Sequence, residues 1–299
     1  MLNNIAVIVT FNKQQLLAEC LQAILKQTYK IDQVIVFDNG STDGTKEFLE
    51  KVQDQRVHSL FSEKNLGGAG GFNHAIKAAM ALSPTAIWVM DDDSIVKPTA
   101  LEELVKAGQK LNGNFGFLSS NVLWTDGQPC LMNIPRVAKV WNKKITTGLV
   151  KIERASFVSM YINAKAIKKL GYPISDFFIW GDDVEFSERI SAHFPSYFVP
   201  KSIVIHKMKE NAEVNILIDS KNRLPRYFYD IRNKFYRFKK KGKKELVKYI
   251  IQTIFLSLKV IFMHNNNKLL KLRVINKGFF AGLFFNPEVE QYQAKENDA

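Results

Sequence analysis

Ala86-Ile-Trp-Val-Met-Asp-Asp-Asp93 decides the fold: five apolar residues run directly into three adjacent carboxylates. A short apolar run bounded by polar residues reads as a buried strand. Three carboxylates at a strand end repel one another unless a cation sits among them. The segments upstream repeat the strand motif. Residues 5–10 and 34–37 are β-branched runs, the second ending on Asp38, and 57–61 is a third strand. Between the first two, Leu16, Leu17, Cys20, Leu21, Ile24 and Leu25 recur at helical spacing. Asn39-Gly-Ser-Thr-Asp-Gly44 is turn chemistry, in which Ser41 or Thr42 is placed to cap the next helix. A glycine-rich loop, 67–71, precedes a helix predicted over 72–82. This alternation predicts an α/β fold with a mostly parallel central sheet and helices on both faces. Ligands of such sheets bind at the carboxyl ends of the strands, where Thr10, Asp38 and Asp91 all fall.

Beyond residue 115 the pattern is mixed. Strands are predicted at 116–123, 155–162, 197–199 and 203–205, and a helix at 183–192. From 221 the chain reads as helical, over 226–240, 245–263 and 268–285, and the polar end 292–299 is expected to fray.

At 46% apolar and 24% charged, the 299 residues have the balance of a folded protein. The two cysteines, Cys20 and Cys130, form no metal-ligand or disulfide spacing, which suits a reducing compartment. Residues 1–200 carry 21 basic and 20 acidic side chains, whereas 221–277 carry 17 basic and 2 acidic. A near-neutral body with a basic tail predicts two domains, 1–220 and 221–299, the second with an anionic partner. Tyr227, Phe228, Tyr229, Phe235, Tyr236 and Phe238 interleave with the tail's Lys and Arg, and a strongly apolar segment follows. That combination favours an anionic membrane surface over nucleic acid, which we set aside. The start of the chain lacks the basic region and apolar length of a signal peptide, and no uninterrupted apolar stretch reaches about 18 residues. The expected location is cytoplasmic, peripheral on the inner face of the cell membrane. The sequence leaves oligomeric state open, a homo-oligomer included.

Alternation of strand side chains puts Asp91 and Asp93 on one side and Asp92 on the other. Hard divalent ions take such carboxylates together with substrate phosphates. The plainer alternative is a solvated acidic turn. A second cluster, Trp180-Gly-Asp-Asp-Val-Glu-Phe186, offers a general base and an aromatic plate for a sugar. Equally, Asp182 or Asp183 could cap a helix and Trp180 could be core. His206 ends the apolar run 203–205 as a metal ligand or as a structural histidine. The glycine loop fits neither the dinucleotide fingerprint nor the P-loop.

Together, Val7-Ile-Val-Thr-Phe-Asn12, Val36-Phe-Asp-Asn-Gly-Ser-Thr-Asp43, Trp88-Val-Met-Asp-Asp-Asp93 and Trp180-Gly-Asp-Asp-Val-Glu185 resemble the family 2 glycosyltransferases of GT-A fold. The loop Asn65-Leu-Gly-Gly-Ala-Gly-Gly-Phe72 looks like the galactofuranosyltransferase branch, and Arg226-Tyr-Phe-Tyr-Asp-Ile-Arg-Asn233 like a stretch of many such bacterial enzymes. The resemblance implies an inverting, metal-dependent transferase with Mn²⁺ or Mg²⁺ as cofactor. It implies donor contacts at Thr10, Asn12, Asp38, Asn65, Gly67 and Asp92, with Asp38 on the pyrimidine. Asp91, Asp93 and His206 match the metal ligands and Asp183 the catalytic base, while Gly70, Gly71, Trp180 and Asp182 are expected to face the substrates. Lys13 stands where many relatives carry arginine. The implied donor is UDP-galactofuranose and the acceptor a saccharide, lipid-linked given the tail, in cell-surface polysaccharide synthesis. A dTDP-rhamnose-dependent rhamnosyltransferase shares this chemistry. A nucleotidyltransferase would also use clustered carboxylates but would release pyrophosphate.

Overall fold

The computed structural model describes residues 3–293; the polar end predicted to fray lies largely outside them, at 294–299. In chain order the elements are β1 (Asn4–Thr10), α1 (Gln14–Leu25), β2 (Gln33–Asp38), α2 (Thr45–Glu50), β3 (Val57–Phe61), α3 (Gly67–Met80) and β4 (Ala86–Asp91). Then follow β5 (Ser94–Val96), α4 (Ala100–Lys110), β6 (Phe117–Leu123), β7 (Arg136–Val137), β8 (Val150–Arg154), β9 (Met160–Asn163) and α5 (Ala164–Leu170). The last are α6 (Asp182–Ser191), β10 (Ser196–His206), α7 (Arg226–Lys240), α8 (Lys243–Phe262) and α9 (Lys268–Phe284).

All ten strands join one sheet in the order β3-β2-β1-β4-β9-β6-β10-β8-β7, with β5 pairing β10. The half from β3 to β4 is parallel, as the alternating pattern predicts. Beyond it β9 enters antiparallel between β4 and β6, and only β6 and β10 pair parallel there. Because side chains alternate along a strand, β1 feeds two cores. Ala6 and Ile8 pack with α1 and α4 through Leu17, Leu21, Leu101 and Leu104. Ile5, Val7 and Val9 pack with α3 and α6 through Phe72, Ile76, Phe186 and Ile190.

Four local expectations change. The strand predicted at 155–162 begins only at Met160, as β9, because a 3-10 turn occupies Phe157–Ser159. The glycines from Gly67 are not a loop but the first turns of α3. Gly67 has φ +74°, and a Cβ there would lie 2.1 Å from the Phe178 carbonyl oxygen. Only glycine lets the helix begin that close to a neighbouring loop. Neither Ser41 nor Thr42 caps α2; Gly44 takes the cap position, and Asp43 Oδ1 accepts from the Thr45 backbone N–H at 3.2 Å. The strands predicted at 197–199 and 203–205 are one strand, β10, irregular between Val199 and Ile203.

The C-terminal helices form where the sequence predicts, and α9 packs tightly on α7. A Cβ on Gly282 would meet Phe235 Cβ at 2.6 Å. The α7 helix also grips the body of the protein, since the Arg237 guanidinium pairs with Glu188 of α6 at 3.0 Å.

Candidate active site

Parallel pairing aligns the strand ends that the sequence singled out. Thr10 lies opposite Asp38, and Val9 opposite Asp91. The short strand β5 then turns back against the end of β10, setting Ser94 opposite His206. The Lys207 backbone N–H donates to the Asp93 carbonyl at 2.9 Å and seals this junction. A residue 113 positions downstream is thereby brought beside the acidic triplet.

Asp91, Asp93 and His206 each present a ligand atom, and all three atoms lie within 4.8 Å of one another. His206 Nε2 stands 2.9 Å from Asp93 Oδ1. That oxygen is buried and has no properly aligned hydrogen bond, so oxygen and nitrogen converge as two ligands of one cation would. The other ring nitrogen, Nδ1, sits 2.9 Å from Asn133 Oδ1. An Nδ1–H donated there leaves Nε2 as the ligand atom, an orienting contact common behind metal-binding histidines. Two carboxylates and an imidazole suit Mn²⁺ well and Mg²⁺ acceptably.

The electrostatics fit the same reading. Burial and repulsion from Asp93 push Asp91 up to about 7, against the pull of His206 and Lys13. Burial acts to lower His206, but Asp93 and Asp91 outweigh it and hold the ring at about 10. Burial likewise acts to raise Asp93, yet His206 and Lys13 hold it below the usual carboxylate range.

Asp92 points the other way. Its Oδ2 accepts from Thr10 Oγ1 at 2.9 Å and from the Phe11 N–H at 3.3 Å, and its Oδ1 pairs with Lys13 Nζ at 3.0 Å. Lys13 Nζ also pairs with Asp93 at 2.7 Å. Thr10 and Asp92 thus bond each other, and Lys13, which the sequence reading gave no role, is the triplet's counter-ion. Lys13→Met should destabilise the protein in EDTA by roughly 1–2 kcal/mol. That is less than the ~3–5 kcal/mol of a fully buried pair, because the lysine side chain is 41% exposed. Thermal melts with and without Mn²⁺ check this, and Mn²⁺ should narrow the gap between variant and parent.

At the neighbouring strand end the loops after β1 and β2 are stitched together. Asn12 adopts φ +53°, its N–H donates to Ser41 Oγ at 2.9 Å, and its Oδ1 accepts from the Thr42 N–H at 2.7 Å. Asp38 Oδ1 accepts from the Ser41 N–H at 3.0 Å. Asn39, which the sequence marks only as part of a turn, spans to α3. Its Nδ2 donates to the Gly67 carbonyl at 2.9 Å, and its Oδ1 accepts from the Leu66 N–H at 2.9 Å. Asn65 Oδ1 accepts from the Gly67 N–H at 2.7 Å. Gly70 and Gly71, expected to face a substrate, are buried instead. A Cβ on Gly71 would strike Val9 Cγ1 at 2.6 Å, so Gly71 seats α3 on β1, whereas one on Gly70 would strike Leu66 Cβ at 2.7 Å.

The second acidic cluster opens α6. Phe178, with φ +63° and ψ −62°, centres a strained γ-turn closed by the Ile179 N–H to the Phe177 carbonyl at 2.7 Å. Trp180 and Gly181 follow at φ +65° and +89°. Such strain persists only where the surroundings over-determine it. Here Asn233 of α7 does so: its buried Nδ2 reaches the carbonyls of Phe177, Ile179 and Trp180 at 3.0, 3.2 and 2.8 Å. Trp180 is half-buried, edge-on to Tyr227 with 5.1 Å between rings, and packs against the C-terminal helices. Asp182 is buried and driven well above the usual carboxylate range by burial and by Asp183, with a smaller push from Asp91. Asp183 is raised as well: burial exceeds the opposing pull of the Val184 N–H, which it accepts at 2.7 Å, and of Arg237 and Arg154. Asn233→Ala should cost ~1–3 kcal/mol, the penalty of stranding buried acceptors. Denaturant melts of the variant against the parent measure this loss.

The profile of glycosyl transferase family 2 matches residues 5–115, which hold β1 to β4, the acidic triplet and α4. The chain carries a family 2 glycosyltransferase domain. Galactofuranosyltransferase GlfT1 of Mycolicibacterium smegmatis is 31% identical over 199 residues, covering 62% of this chain and 64% of that protein. The chain therefore spans less than two thirds of that relative's length. Among solved structures, S. aureus TarS superposes with a TM-score of 0.56 at 15% identity, over 94% of this chain and 72% of that one. The mannosyltransferase PcManGT from Pyrobaculum calidifontis, in complex with GDP-Man and Mn²⁺, gives 0.53 at 15% identity, over 95% and 76%. The family 2 domain thus has the GT-A fold; past the matched segment its sheet continues to supply His206, and α6 supplies Asp183.

Proposed function

We propose that this protein is an inverting, divalent-cation-dependent glycosyltransferase, with UDP-galactofuranose as donor and a lipid-linked saccharide as acceptor. One observation carries the reading. Ligand atoms of Asp91, Asp93 and His206 converge within 4.8 Å of one another in the acidic cluster at the end of β4, and a second acidic cluster opens α6. One has the donor set of a cation site and the other a raised carboxylate. Asp91, Asp93 and His206 would hold the cation, whose positive charge would offset that of the leaving diphosphate. Thr10, Asn12 and Asp38 line the adjoining strand ends, where the nucleotide belongs. Asp183 takes the proton of an acceptor hydroxyl as that oxygen bonds to the anomeric carbon, while the bond to the diphosphate breaks on the opposite face. The test is thermal protection by UDP-galactofuranose or dTDP-rhamnose in Mn²⁺, followed by transfer assays. Protection by dTDP-rhamnose alone would move the donor to rhamnose, and pyrophosphate release from a nucleoside triphosphate would change the class.

The division at 220/221 belongs to the same proposal, with the second part as the membrane-docking region. Among the described residues no helix is long and apolar enough to cross a membrane. Yet α8 exposes Val247, Ile251, Ile254, Phe255, Leu258, Ile261 and Phe262, a single stripe at helical spacing. Not all the basic residues of the tail are free for lipid. Lys271 is buried, and Arg237 pairs with Glu188. Lys239, Lys240, Lys243, Lys244 and Lys248 remain exposed, each worth up to about 1 kcal/mol near an anionic leaflet. The protein should co-sediment with vesicles containing anionic lipid, less at high salt and less with zwitterionic lipid alone. Ile254→Glu with Phe262→Glu should reduce binding roughly ten-fold or more, since both apolar burial and charge attraction are lost. Deleting the tail is a poor substitute, because it removes Asn233.

A further inference from the structure

A groove of about 830 Å³ lies between the β7–β8 edge of the sheet and helices α7 and α8. Seven basic residues line it against three acidic ones. Arg136 and Arg154 are direct cross-strand partners on β7 and β8, an arrangement in which like charges destabilise a sheet. Arg136 has Glu153 at 3.5 Å, but Arg154 pairs with no carboxylate among the described residues. Arg237 enters from α7 close enough to repel Arg154. Glu188 is shared between Arg237 at 3.0 Å and Lys241 at 2.8 Å. Arg237 is 7% exposed, and its Nε is buried without a hydrogen-bond partner. Three guanidiniums are therefore gathered with more donors than acceptors, a condition that a multivalent oxyanion would relieve.

Both Arg154 and Arg237 act electrostatically on Asp183, so this cationic centre adjoins the carboxylate proposed as base. In the other direction the groove runs along α8 to Phe255 and Leu256, beside the exposed apolar stripe.

We propose that this groove is an anion subsite, separate from the donor's cation site, which holds the phosphate or diphosphate of an amphiphilic acceptor between Arg136, Arg154 and Arg237, with its apolar chain leaving along α8. This rests on the transferase reading for the acceptor's role but not for the binding itself. The test uses the full chain in EDTA, which silences the cation site, with inorganic pyrophosphate and farnesyl diphosphate as calorimetric probes. Farnesyl diphosphate should bind at least ten-fold tighter than pyrophosphate. Arg154→Gln should weaken both at least ten-fold, while UDP affinity in Mn²⁺ stays within two-fold. Arg136→Gln, at an exposed position, should do the same more mildly and guards against misfolding of the first variant. Equal affinity for the two probes would make this a site for free phosphates and overturn the acceptor assignment. Probe binding that is absent, or indifferent to both substitutions, would overturn the subsite. Absence of both UDP and dTDP binding in Mn²⁺ by the unaltered protein would instead sink the transferase reading and leave the subsite standing.

Discussion

On the proposed mechanism, Asp183→Asn should lower sugar transfer by roughly a hundred- to ten-thousand-fold, the usual contribution of a positioned general base, while UDP affinity in Mn²⁺ should stay within a few-fold. The amide keeps the size of the carboxylate and can still accept from the Val184 N–H, now at 2.7 Å, so α6 should start as before. It cannot take a proton. Burial raises Asp183 above the ordinary carboxylate range despite Arg154 and Arg237. The parent's rate should therefore rise with pH through a group titrating above that range, and this limb should vanish in the variant. A pH–rate profile alongside a UDP titration separates loss of the base from loss of the fold. If turnover largely survives, the base lies elsewhere, and the neighbouring Asp182 becomes the first candidate.

What the sequence made legible was local periodicity. β1 to β4 are apolar runs spaced by amphipathic segments, so the parallel half of the sheet and its strand-end residues could be read directly. The antiparallel half could not. β7 is two residues long and β5 three, too short to carry a period, and β9 reads the same whichever way it pairs. Yet β5 is the element that delivers His206 to the triplet. The glycines at 67–71 carry the composition of a loop but pack as a helix, because what selects them is the approach of Phe178 and Val9. Asn39, Asn133 and Asn233 were missed as site residues for the same reason. Each acts through one side chain on a segment 26 to 73 positions away, and pattern within a window is blind to such contacts. A buried asparagine fixing a strained turn leaves no periodic trace. Lys13 was visible only as a departure from the family, and its ion pairs with Asp92 and Asp93 give that departure a physical meaning.

The same geometry makes Asp93 the residue whose loss should most affect the donor. Asp91 lies at the strand end proper, whereas Asp93 lies past it and joins three contacts: His206 Nε2 at 2.9 Å, Lys13 Nζ at 2.7 Å, and through its carbonyl the Lys207 N–H. Asp93→Ala keeps the backbone bond and removes the other two. It leaves Asp91 and His206 as the remaining ligands, too few carboxylates for a hard divalent ion to prefer over water. We expect the Mn²⁺-dependent part of UDP affinity to fall by roughly 100-fold or more, at or beyond the upper end of what supporting contacts to a metal site contribute. The residual affinity should equal that of the parent in EDTA. Protons supply an independent readout, because metal ligands must be deprotonated. With Asp91 pushed up to about 7 and His206 to about 10, Mn²⁺ must displace protons at neutral pH, so the parent's Mn²⁺ affinity should rise with pH. In Asp93→Ala, His206 loses the partner that holds its pKa up, and the proton released by any residual binding should shrink. Calorimetry in two buffers of different ionisation enthalpy measures that release. UDP affinity that remains equally dependent on Mn²⁺ in the variant would remove Asp93 from the site and leave its two ion pairs as purely structural.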